Sequence, residues 1–139
     1  MRQKGCLFLE MNILVTGGSG YLGGFTIVSL LEAKNDGRLD PSLHIHTSSR
    51  ASVSVEDVLD PADAECVTFR EIDLTNENQV NAWVEAVRPA VVIHTAALSS
   101  VGACEKDRPL AMANNCPYML IEAVQRHCSK NVLFLFTSV

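Results

Sequence analysis

The 139-residue sequence predicts an α/β fold, a doubly wound parallel sheet with strand order 3-2-1-4-5, cut short after the fifth strand. Three observations carry this prediction. Short apolar, β-branched runs alternate with segments of helical period along almost the whole chain. The first run leads through "VTGGSGYLGG" (15–24), which holds five of the chain's eight glycines, into a helix. Parallel strands joined by right-handed crossovers then place helices on both faces of the sheet.

Each element follows in order. "NILVT" (12–16) is a short apolar run ended by glycine, which reads as a buried strand. "YLGGFTIVSLLEAK" (21–34) sets Leu22, Phe25, Ile27, Val28, Leu30 and Leu31 at helical spacing, and the turn formers of "NDGRLDPS" end that helix. "LHIHTSS" (43–49) is the second strand. The stretch 50–65 is the least regular, with one short helix expected at 54–59. "CVTFREIDL" (66–74) is the third strand, rich in β-branched and aromatic residues. "NENQVNAWVEAVR" (76–88) puts Val80, Trp83, Val84 and Val87 on one helical face, and Pro89 stops it. "AVVIHTAA" (90–97) is the fourth strand, with small residues at its end. Residues 105–128 are helical, with Pro117 kinking or restarting the helix. "NVLFLFTS" (131–138) is the fifth strand. Because Met11 begins a natural opening strand, residues 1–10 read as an extension and 11–139 as one incomplete domain.

Composition narrows the function. An apolar fraction of 47% and a charged fraction of 19% describe an ordinary globular protein. A formal charge of −5, without any cluster of Lys and Arg, argues against a nucleic-acid surface. No apolar run approaches a membrane span, and "MRQKGCLFLEM" lacks the apolar stretch and small-residue cleavage site of a signal peptide. The five cysteines (Cys6, Cys66, Cys104, Cys116, Cys128) are odd in number and widely spaced, which predicts reduced thiols and a cytoplasmic setting. His44, His46, His94 and His127 have no recognised ligand spacing, so no metal site is expected.

The glycine run, set between a strand and a helix, has a physical task. Gly17 permits the tight turn, Gly20 lets the backbone approach a pyrophosphate, and Gly23 lets the helix pack closely on the sheet. The free N–H groups of residues 20–23, Tyr21 and Leu22 included, then meet the anion at the positive end of the helix dipole. A triphosphate-binding loop would need Lys followed by Ser or Thr after its last glycine, and "GGF" stands there instead. The pattern is that of a Rossmann dinucleotide-binding domain. At the end of the second strand an NAD protein usually carries a carboxylate for the ribose hydroxyls. This chain has "TSSR" (47–50), in which Ser48, Ser49 and Arg50 suit a 2′-phosphate, so NADP is favoured with NAD as the alternative.

Gly17-x-x-Gly20-x-x-Gly23 after Thr16 resembles the extended short-chain dehydrogenase/reductase superfamily. That resemblance implies that Asp73 and Leu74 contact the adenine, and that Thr95, Ala96 and Ala97 lie along the cofactor. The segment 88–115, "RPAVVIHTAALSSVGACEKDRPLAMANN", resembles the dTDP-4-dehydrorhamnose reductase branch, which includes the regulatory β subunit of methionine adenosyltransferase. In it, Asn115 falls on the family's helix asparagine. Reductases of this kind carry a Ser or Thr just after the fifth strand and a Tyr-x-x-x-Lys on the next helix. The hydroxyl position falls at Ser138 or, shifted by one residue, at Val139. Tyr21 and Tyr118 are followed four residues later by Phe25 and Glu122, so the Tyr-x-x-x-Lys is absent from this chain. The resemblance therefore implies the NADP-binding part of a nucleotide-sugar reductase or epimerase, without its substrate region and not catalytic alone. A dinucleotide-binding regulatory subunit is the alternative. "VLFLF" (132–136), an outer strand without charge or proline, is expected to promote self-association.

Overall fold

The computed structural model describes residues 10–137. Five strands, β1 (Asn12–Thr16), β2 (His44–Ser49), β3 (Val67–Glu71), β4 (Val91–His94) and β5 (Leu133–Phe136), form one parallel sheet in the order β3-β2-β1-β4-β5. Six helices connect them among the described residues: α1 (Tyr21–Asn35), α2 (Pro61–Ala64), α3 (Glu77–Val87), α4 (Val101–Lys106), α5 (Arg108–Asn115) and α6 (Tyr118–His127). β1 is the central strand. Its Ile13 aligns with Ile45 of β2 on one side and Val91 of β4 on the other.

The two faces of β1 feed two cores. Ile13 and Val15 pack with Ile27 and Leu31 of α1 and with Leu43, Ile45 and Val67. Leu14 points the opposite way, into Val80, Trp83, Val84 and Val87 of α3 and Leu120, Ala123 and Val124 of α6, beside Val92. Period-two alternation on a strand buried from both sides gives this arrangement. The α3 stripe is buried as its spacing predicts. Arg88 closes α3 in a left-handed conformation at φ 46°.

Several boundaries differ from the sequence expectation. β3 stops at Glu71 rather than residue 74, because Asp73 turns the chain: its carboxylate accepts from both the amide and the hydroxyl of Thr75. β4 stops at His94 rather than residue 97, and β5 spans only Leu133–Phe136. The short helix expected at 54–59 is one 3₁₀ turn, Val55–Asp57, followed by α2. The expected helix over 105–128 is three helices. Ser100 caps α4, and Asp107 accepts from the Leu110 amide to start α5, with Pro109 in its first turn. Pro117 separates α5 from α6. On α1 only part of the apolar set faces the sheet. Ile27 and Leu31 are buried, whereas Leu22, Phe25 and Val28 are exposed, because at about 100° per residue they fall outside the Ile27–Leu31 stripe.

Residues 1–9 of the expected extension, and Ser138 with Val139, lie outside the described residues. Among the described residues, no helix is long and apolar enough to cross a membrane. Cys66, Cys104, Cys116 and Cys128 are free thiols, and no group of three or more His, Cys, Asp or Glu is arranged to hold a metal among those residues.

Candidate functional site

The sheet order reverses direction at β1: the chain runs outward to β2 and β3, then returns to β4 on the other side. A cavity of about 1260 Å³ opens at the carboxyl ends of these strands, at the switch point where α/β sheets bind ligands.

The glycine turn forms its floor. Gly17 has φ +75°, and a Cβ there would stand 2.9 Å from the Ala96 backbone. Gly23 carries α1 so close to the turn that a Cβ would lie 2.0 Å from the Gly17 carbonyl oxygen. Gly18 is packed as tightly: a Cβ would meet Thr47 Oγ1 at 2.1 Å. That packing leaves Thr47 Oγ1 buried without a hydrogen-bond partner. Gly20 occupies the N-cap of α1 with no side-chain cap, and no acidic residue stands in the first turn. The opening amides of α1 therefore face the cavity free of competing side-chain acceptors, which suits an anion.

β2 supplies the next wall. Ser48 anchors the glycine turn twice, its hydroxyl accepting from Gly17 N at 3.2 Å and its carbonyl accepting from Gly18 N at 3.0 Å. Ser49 donates its hydroxyl hydrogen to the Ala51 carbonyl. Arg50 is exposed at the rim. Across from it, the hydroxyl and amide of Thr75 hold the Asp73 carboxyl below its ordinary range, and the Arg50 charge acts in the same direction. No carboxylate occupies positions 47–50 at the end of β2.

The third wall comes from β4. Thr16 Oγ1 accepts the amide hydrogens of Thr95 at 3.1 Å and Ala96 at 3.2 Å, and Thr95 Oγ1 donates to the Thr16 carbonyl at 2.6 Å. These bonds end β4 and draw Thr95, Ala96 and Ala97 along the cavity. Below them, His94 is buried between Thr16 Oγ1 at 2.7 Å and the Asn114 carbonyl at 3.1 Å. Burial lowers the imidazole pKa, with the Asn114 carbonyl opposing it.

Gly17, Gly20, Tyr21, Leu22, Gly23, Ser48, Ser49, Arg50, Asp73, Leu74, Thr95, Ala96 and Ala97 all line this one cavity. Asn115 stands apart. Its amide accepts from Leu98 N at 2.7 Å and donates to Leu98 O at 3.2 Å, pinning the loop after β4 instead of facing the cavity. Ser138 lies outside the described residues. Sequence reasoning missed Gly18, Thr16 and His94, which do not line the cavity but support its walls from behind. The signal for Gly18 is present, a glycine beside the turn, but its reason is a neighbouring strand 29 positions away, which no local pattern shows.

The fold and the cavity together define a class: a doubly wound, Rossmann-like sheet with a glycine-floored cleft at its switch point. The chain belongs to the NAD dependent epimerase/dehydratase family, whose model matches residues 13–139. It is 33% identical over 128 residues to a UDP-glucose 4-epimerase of Erwinia amylovora, covering 92% of this chain and 36% of that protein. A human UDP-glucose 4-epimerase is 30% identical over 128 residues, with 88% of this chain and 36% of that protein covered. The chain thus spans little more than a third of the length of these curated relatives.

Among solved structures, the UDP-Glc/GlcNAc 4-epimerase of Campylobacter jejuni superposes with a TM-score of 0.70 at 26% identity, over 91% of this chain and 36% of that one. The UDP-glucose 4-epimerase of Thermus thermophilus, solved in complex with NAD, gives 0.62 at 27% identity, over 84% and 34%. These relatives are epimerases. The dTDP-4-dehydrorhamnose reductase branch expected from segment 88–115 is not confirmed by them.

Proposed function

We propose that this chain is the dinucleotide-binding part of a nucleotide-sugar epimerase resembling the UDP-glucose 4-epimerases, and that its dinucleotide is NADP. The observation that carries the reading is the cleft itself. A turn that only glycine can form, anchored by Ser48, aims uncapped helix amides into a cavity whose rim holds Arg50. The residues fit the group. α1's first turn would hold the pyrophosphate, Asp73 and Leu74 would border the adenine, and Thr95 to Ala97 would lie along the nicotinamide half. When bound, the nicotinamide supplies hydride transfer. The protein's part is to orient it and to exclude water.

The relatives favour an epimerase over a reductase, and nothing in the structure favours the regulatory-subunit alternative. The preference for NADP rests on charge. A guanidinium is matched to a phosphate, and the absence of a carboxylate at 47–50 removes the group that would repel it. Ser49 adds to this only by turning its hydroxyl away from Ala51. Calorimetric titration with NADPH and NADH tests the reading on wild type and Arg50→Ala. A charge-assisted contact contributes about 1.5–3 kcal/mol, so NADPH affinity is expected to fall by about tenfold or more while NADH changes little. Equal losses for both, or a wild-type preference for NADH, would overturn the NADP assignment.

A further inference from the structure

His94 does not line the cleft, yet its bonds can be satisfied in one way only. A hydroxyl has two lone pairs and one hydrogen. Both lone pairs of Thr16 Oγ1 are taken by the amides of Thr95 and Ala96. Its hydrogen therefore bridges the 2.7 Å to His94 Nδ1, which must be a bare acceptor. The ring proton then sits on Nε2 and is donated to the Asn114 carbonyl at 3.1 Å.

We infer that His94 is a positioning residue for the dinucleotide cleft: as its neutral Nε2–H tautomer it locks the carboxyl ends of β1 and β4 to α5, and taking up a second proton opens that lock. The inference rests on the dinucleotide reading for its functional consequence, though not for its chemistry. A proton on Nδ1 would face the Thr16 hydroxyl hydrogen. To accept from the ring, Thr16 would have to release Thr95 N or Ala96 N. Those two amides fix the segment whose backbone abuts Gly17, so the glycine turn loses its support with them.

The surroundings leave the ring without an ionic partner. β1, β4 and β5 carry no other titratable side chain. On α5 the one such group is Arg108, exposed at the end opposite Asn114, with exposed Asp107 capping it. On α6, Tyr118, Glu122 and Arg126 are exposed, and His127 lies at the far end. Burial, opposed by the Asn114 carbonyl, sets the neutral form.

The test uses the 139-residue chain and reads tautomer, amide exchange and binding separately. Imidazole ¹⁵N NMR is expected to show the Nε2–H tautomer at neutral pH. The Thr95 and Ala96 amides should lose hydrogen-exchange protection over the pH range in which the ring protonates. Two variants separate the lock from packing: Thr16→Val keeps the shape and removes the hydroxyl, whereas Thr16→Ser keeps the hydroxyl and removes a methyl. NADPH affinity should fall by about tenfold or more in Thr16→Val and stay near wild type in Thr16→Ser, since two half-buried amides would be left without their acceptor. His94→Gln cannot titrate, so it should lack the part of the wild-type acid-side affinity loss that the lock contributes. An Nδ1–H tautomer, an imidazolium at neutral pH, or a Thr16→Val chain that binds as well as Thr16→Ser overturns the inference. A wild-type chain that binds no dinucleotide refutes the proposed function, and the tautomer and amide exchange still decide the lock.

Discussion

Gly23→Ala is expected to destabilise the protein severely, although alanine is the better helix former. The new Cβ would stand 2.0 Å from the Gly17 carbonyl oxygen, 2.6 Å from the Gly17 carbonyl carbon and 2.8 Å from Thr95 Oγ1. The first two obstacles are backbone, in a turn held at φ +75°, so no side-chain rotation relieves them. Overpacking costs about 1–3 kcal/mol where side chains can give way; against backbone, about 3 kcal/mol or more is expected. In a domain of this size that lowers Tm by roughly 10 °C. The next residue is an internal control. A Cβ on Gly24 lies 3.5 Å from the Gly18 carbonyl, an ordinary contact, so Gly24→Ala is expected to stabilise by about 0.5–1 kcal/mol. Urea denaturation followed by circular dichroism measures all three proteins. A Gly23→Ala chain as stable as wild type would show that α1 does not sit against the glycine turn.

Two further outcomes follow from burial and from the sheet edge. Burial is the main cause that lowers the pKa of His44, His46 and His94, bringing His46 from 6.5 to about 4. An unfolded chain takes up these protons first, so the stability they contribute is full above about pH 6.5 and is lost as pH falls toward about 4. Melting temperatures across that range should decline; a flat or rising profile contradicts the assignment. Among the described residues β5 is an outer strand, and its Leu133, Leu135 and Phe136 are 54%, 48% and 60% exposed. We expect the chain to self-associate through it, and Leu135→Lys to reduce this, as charges on edge strands do. Light scattering over a concentration series reads it, and a wild-type monomer at high concentration counts against it.

The sequence made the sheet order and the α3 core stripe legible because both rest on strong local periods. Val80, Trp83, Val84 and Val87 repeat at helical spacing without competition. Boundaries fared worse where a distant residue decides them. "AVVIHTAA" reads as strand to its end, yet Thr16, 79 positions from Thr95, captures the next amides and turns the chain off the sheet. In α1 the apolar residues are too many for one face, so the count could not show which ones pack. Asp107 and Pro109 do mark a helix start in the sequence, but the continuous helical period around them concealed it. Most of the candidate site was legible, because glycines and a strand end fix where a cleft opens. Asn115 and His94 were not, because their roles depend on what the loop after β4 and the β1–β4 register bring beside them.

The most direct test is a titration of NADP⁺ into the ¹⁵N-labelled chain, followed by backbone amide NMR. Saturable shifts are predicted at Gly17, at Gly20 to Gly23, at Ser48 to Arg50 and at Thr95 to Ala97, and not at the opposite end of the sheet near Asp40 and Glu65. Absence of binding, or shifts confined to residues away from the glycine turn, would contradict the account.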